Sequence, residues 1–136
     1  MKSRLPTIAE IDELLAFLPQ LYAEDFQPVK KWMGGERDAN GNLVLPYPEY
    51  DEVVDEFFKA ASKECWLDFE YNPEEAYRML KDEGVVRAAD LAEIKTMLTF
   101  CVRGERFSDG HWEEMIKSGY VRRLLDRLGE IRAQIT

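Results

Sequence analysis

The chain has 136 residues, of which 46% are hydrophobic and 33% charged, and its formal net charge is −9. These values fit one globular domain spanning residues 1–136 with a core of its own, and they exclude a globally disordered chain. The negative balance disfavours direct binding of DNA or RNA, and no run approaches the roughly 18 apolar residues of a membrane span.

The start, "MKSRLPTIAEIDELL", meets Glu10, Asp12 and Glu13 before an apolar run forms, so no secretory leader is expected and a cytoplasmic protein is. Thr7 and Glu10 have capping-box spacing, and Ile8, Ile11, Leu14, Leu15 and Leu18 follow at helical intervals; Pro19 marks the expected end of a first helix. Between Gln27 and Tyr50 the helical period is lost. Asn40-Gly41 is a turn signal, Gly34 and Gly35 break the first flanking run, and Pro46 and Pro48 stop the second. The expectation is a small β-hairpin near residues 28–46 that lies against the helices, with Trp32 as its anchor.

A second helix follows from Tyr50, Val53, Val54, Phe57, Phe58 and Ala61 on one face, with Glu49, Glu52, Asp55, Glu56 and Lys59 opposite. After an aromatic-rich connection, "ECWLDFEY", Asn72 caps a third helix with Pro73 in its first turn, and Gly84 is read as its stop. Asp90 and Glu93 repeat the capping box before a fourth helix carrying Leu91, Ile94, Met97, Leu98, Cys101 and Val102. Ser108 is the expected cap of a fifth, with Trp112, Met115 and Ile116, closed by Gly119. Leu124, Leu125, Leu128 and Ile131 give a sixth. The fold class is therefore mainly α, about five to six helices with one small hairpin.

Chemistry-bearing residues concentrate in "CVRGERFSDGHW", residues 101–112, which holds the only histidine. A Cys101–His111 nucleophile pair is spatially conceivable, but Cys101 falls on an apolar stripe, and Cys65 and Cys101 both read as small buried residues. Asp109, His111 and Glu114 have helix-face spacing for metal ligands but lack the customary second histidine, so no metal and no cofactor is expected. Carboxylate pairs such as Asp51/Asp55, Glu52/Glu56 and Glu113/Glu114 read as solvated faces, and the glycines of "WMGGERDANGN" match no phosphate-binding loop. Arg103 and Arg106 could fork onto a carboxylate or phosphate, joined by His111. The plainer reading pairs one arginine with Glu105 or Asp109 while the other covers helix-end carbonyls.

Charge is uneven: residues 49–83 carry twelve acids against four bases. A surface built from Glu49, Glu52, Asp55, Glu56, Glu74 and Glu75 would favour a basic protein partner, and one such partner is a nucleic-acid-binding enzyme whose groove an acidic helix could occupy by mimicry, as anti-CRISPR and anti-restriction inhibitors do.

The blocks "PYPEYDEVVDEFF", "ECWLDFEYNPEEAYRML" and "MLTFCVRGERFSDGHWEEMIKSGYVRRLLDRL" resemble a family of short bacterial proteins known as a domain of unknown function. The likeness covers roughly residues 46–128, and the CVRGERF…G.W block is its most distinctive part. In that family Tyr takes the place of Phe100 and often Cys that of Ser108, which implies that neither position carries essential chemistry. The resemblance implies a compact bacterial domain and no activity. The functional expectation is a non-enzymatic acidic protein-interaction module; the alternatives are a nucleic-acid mimic that blocks a basic groove, and an anion- or small-ligand-binding protein or enzyme centred on the RGER turn.

Overall fold

A computed structural model describes residues 4–135. The chain runs α1 (Ile8–Leu15), α2 (Leu18–Leu21), β1 (Val29–Met33), β2 (Tyr47–Tyr50), α3 (Glu52–Ala61), a 3₁₀ turn (Glu64–Trp66), α4 (Pro73–Lys81), α5 (Glu83–Arg87), α6 (Leu91–Arg103), a second 3₁₀ turn (Gly104–Arg106), α7 (His111–Lys117) and α8 (Tyr120–Gln134). It is mainly α with one antiparallel hairpin, and a single apolar core draws on every α-helix. The helix α6 lies at the centre, packed against α3, α4, α7 and α8, while α8 runs against α1, α5, α6 and α7.

The helix starts follow from local chemistry. Both capping boxes form: Glu10 N–H donates to Thr7 Oγ1 and Glu93 N–H to Asp90 Oδ1, with the glutamates returning to the cap backbones. Asn72 caps α4 and Pro73 occupies its first turn. The α3 stripe of Val54, Phe57, Phe58 and Ala61 is fully buried, as are Cys65 and Trp66 after it. Both cysteines are free and buried.

Several boundaries differ from expectation. Pro19 does not end the helical run but starts α2, where its missing N–H removes no bond. Tyr50 belongs to β2, because Asp51 caps α3 through Val53 N–H; Glu49 is therefore a strand residue paired across from Lys31, not part of a helix face. The second strand lies beyond residue 46, and Pro48 sits inside it opposite Trp32. A two-stranded sheet has a free edge on each strand, a setting where an interior proline is tolerated. Gly84 does not stop the chain's helical course, because Asp82 both ends α4 and restarts α5 by accepting from Gly84 and Val85 N–H.

Long-range polar ties fix the packing. Arg132 Nε reaches Asp12 at 2.8 Å to join α8 to α1, and Tyr22 donates to the Ile116 carbonyl at 2.8 Å. The aromatic connection after α3 is held to α6 by Asp68 N–H on Thr99 Oγ1 and by Thr96 Oγ1 on Asp68.

Candidate functional site

The turn from α6 to α7 is built by reciprocal capping. Gly110, at φ +91°, precedes α7 without a side chain to cap it, and Ser108 does not cap the helix as expected. Glu105 takes that role from five residues upstream. Its Oε2 accepts from Gly110 N–H at 3.0 Å, and its Oε1 accepts from Trp112 N–H at 2.8 Å and from the Tyr50 hydroxyl at 2.7 Å. One carboxylate thus meets two orphan donors of α7 and fastens β2 to the turn. Burial, then the bond to Glu105, pushes the Tyr50 phenol well above its usual range.

The other direction of capping comes from α7. Trp112 Nε1 donates to the Val102 carbonyl at 2.9 Å, and His111 Nε2 lies 3.2 Å from the Phe100 carbonyl. His111 is only 8% exposed, and burial pushes its pKa below the ordinary histidine value, which favours the neutral ring donating from Nε2. The ring lies directly on Gly104: a Cβ added there would be 2.2 Å from Nε2. A glycine between Arg103 and Glu105 is therefore required by the histidine beneath it. Trp112 stacks on Phe58 at 4.5 Å, and the hairpin rests here too, since a Cβ on Gly110 would lie 3.0 Å from Cη2 of Trp32. Trp32 anchors the hairpin with about half its surface, 49%, still exposed.

The arginines do something else. Neither Arg103 nor Arg106 makes a hydrogen bond or an ion pair with a described residue, so neither pairs with Glu105 or Asp109, and the α6 carbonyls are covered by His111 and Trp112 instead. The Arg103 guanidinium lies 5.9 Å from the Phe69 ring centre and 5.4 Å from that of Tyr71. Arg103 and Arg106 line one cleft of about 410 Å³, with Glu105 between them in sequence, Leu67, Val102 and Trp112 as apolar wall, and Ser62 from the end of α3. His111 is not part of that cleft. In sequence Phe69 and Tyr71 are only parts of an aromatic connection; their clustering with Arg103 depends on the Asp68–α6 ties, which sequence spacing does not disclose.

Of the candidate catalytic and metal residues, Cys101 is wholly buried with its thiol pushed up to about 12 by burial. His111 is enclosed as described, and among the described residues no group of three His, Cys, Asp or Glu side chains is placed to hold a metal ion.

The acidic candidates are dispersed. Glu52, Asp55 and Glu56 are exposed on α3, Glu49 lies on β2, and Glu74 and Glu75 open α4, which packs on α5 and α6 rather than on the hairpin side. Lys31 lies 3.7 Å from Glu49, Lys30 lies 4.0 Å from Glu52, and Arg78 holds Glu75 at 2.6 Å. Partial burial, then repulsion from Asp51, raises the Asp55 pKa.

The sequence model of a family described as a family of unknown function, DUF6508, matches residues 6–134, and the chain belongs to that family. No curated protein and no solved structure matches it.

Proposed function

We propose, for this member of a family whose description supplies no activity, a non-enzymatic binding module whose recognition site is the cleft of Arg103 and Arg106 and whose ligand carries a carboxylate or phosphate group. The observation that carries the reading is that, among the described residues, neither guanidinium has a hydrogen-bond or ion-pair partner, in a chain of net charge −9. With 27 acidic residues available, two arginines three positions apart would ordinarily find one. An unpaired guanidinium fork keeps its donors for an external oxyanion, and aromatic stacking of Arg103 lowers the entropy lost when it binds.

Support for binding rather than catalysis comes from the neighbours. Glu105, His111 and Trp112 already use their polar atoms to cap helices, and Cys101 is buried as a neutral thiol. A group held in that way is poorly placed to move protons or attack a substrate.

Titration with inorganic phosphate and with succinate, followed by amide and indole NMR shifts, tests this directly. The expected result is a saturable shift at Arg103, Arg106 and the Trp112 indole that disappears in the Arg103→Gln, Arg106→Gln double variant. Equal shifts in the double variant would show that the cleft is not the site.

A second reading has a specific observation behind it. Glu52, Asp55 and Glu56 are all exposed on one face of α3, where Lys30 lies 4.0 Å from Glu52. That favours a basic protein on the Glu52–Asp55–Glu56 face, a groove-blocking nucleic-acid mimic being its most specialised form.

A further inference from the structure

The apolar surroundings of the arginine cleft narrow its ligand. Phe69 beside Arg103 is 51% exposed, Phe107 next to Arg106 is 80% exposed, and Trp32 against Gly110 of the same turn is 49% exposed. An exposed ring beside Arg103, with further exposed rings following Arg106 in the chain and packed on the same turn, is the kind of composition found in protein-recognition surfaces, in which rings and guanidinium groups supply most of the contact energy. A free phosphate or a small dicarboxylate would engage the arginines and leave all three rings in water. A nucleic-acid strand would cover the rings, but it would also lay successive phosphates against a chain of net charge −9. A single carboxylate carried next to an apolar side chain avoids both costs.

The cleft itself agrees. Its wall joins Leu67, Val102 and Trp112 to the two arginines, and about 410 Å³ is room for one or two side chains rather than for a folded domain. We infer that the cleft binds a short segment of another protein in which an Asp or Glu carboxylate meets Arg103 and Arg106 while a neighbouring apolar side chain covers Phe107 and Phe69. This inference rests on the reading of the cleft as an anion site, and it adds that the anion arrives on a peptide.

An array of blocked seven-residue peptides with Asp or Glu at the centre, flanked by Phe, Leu, Ser or Lys, provides the test, with the full chain as the binding protein and inorganic phosphate as the reference. Peptides joining the acid to Phe or Leu are expected to bind at least about tenfold tighter than acid–Ser peptides or phosphate. Phe107→Ser should remove that advantage without altering the melting curve, because the ring is exposed, and should leave phosphate binding unchanged. Arg103→Gln with Arg106→Gln should abolish binding of every anion. If acid–Ser peptides and phosphate bind as well as the apolar ones, and Phe107→Ser changes nothing, the peptide assignment is wrong while the anion site stands. If no peptide or phosphate binds, or if binding survives the arginine double variant, both readings fall together.

Discussion

The acidic face of α3 and the arginine cleft of the α6–α7 turn are both charged surfaces, and they differ in how far the protein answers its own charge. Glu52 has Lys30 within 4.0 Å, and Glu49 on the adjoining strand has Lys31 at 3.7 Å. Arg103 and Arg106, in a protein with a large excess of acid, have no hydrogen-bond or ion-pair partner among the described residues. Net charge alone points to the first surface, since most of the excess lies in residues 49–83. Local accounting of partners points to the second. A charge without an internal partner keeps its full capacity for an external one, whereas a charge with a nearby counter-ion has already lost part of it to screening and geometry.

The sharpest way to break the comparison is to exchange roles within the turn itself. Glu105 accepts three hydrogen bonds, two from helix-start backbone and one from the hydroxyl of the buried Tyr50. Glu105→Ala leaves those donors without their acceptor and should lower the unfolding free energy by about 3 kcal/mol. The Arg103→Gln, Arg106→Gln double variant removes only stacking on Phe69 and Tyr71 and should cost less than about 1 kcal/mol. Urea unfolding of the three proteins measures both. A double-arginine variant as unstable as Glu105→Ala would mean that the arginines are structural and that the two halves of the turn do not differ.

His111 gives the next largest effect, read as a pH dependence. Its folded pKa is lowered from the ordinary 6.5, with burial as the main cause. Above pH 6.5 the ring is neutral in folded and unfolded chains and contributes no slope. Below it the unfolded chain takes up a proton that the folded chain resists, so stability falls with decreasing pH until the folded ring also titrates. Between pH 7.5 and 5.5 the wild type should lose about 1 kcal/mol more than His111→Gln, whose amide N–H can still reach the Phe100 carbonyl. Parallel stability profiles for the two proteins would refute a buried neutral ring.

These particulars also explain what sequence could disclose. Thr7–Glu10 and Asp90–Glu93 are capping boxes whose partners lie three residues apart, so spacing alone identifies them. The Glu105 cap works five and seven residues downstream and borrows Tyr50 from a strand 55 residues earlier. No periodicity encodes such a set; the only clue is that Gly110, a residue without a capping side chain, precedes α7. Gly84 reads as a stop for a related reason. A glycine after a charged helix reads as a stop, yet a preceding aspartate that accepts from the next N–H groups restarts the helix. The apolar stripes of α3, α6 and α8 were legible because burial imposes the 3.6-residue period itself. That Arg103 and Arg106 lack hydrogen-bond and ion-pair partners among the described residues was not, because whether a donor has a partner is a property of the packed chain.

The smallest effect on stability should come from the acidic face, and there the two surfaces separate most cleanly. Glu52→Lys with Glu56→Lys shifts the net charge from −9 to −5, since each reversal adds two units. The exposed Lys30 pair at 4.0 Å contributes little, and a cation in the first turn of α3 opposes the helix dipole, so the cost should be about 0.5 kcal/mol. Binding is the informative readout. If α3 meets a basic partner, the reversals should weaken association with a poly-lysine probe and flatten its salt dependence, because fewer screened attractions remain. Anion binding at Arg103 and Arg106 should persist or strengthen slightly as the repulsive background falls. Unchanged poly-lysine binding would leave the acidic face with no recognition role and the arginine cleft as the remaining candidate surface.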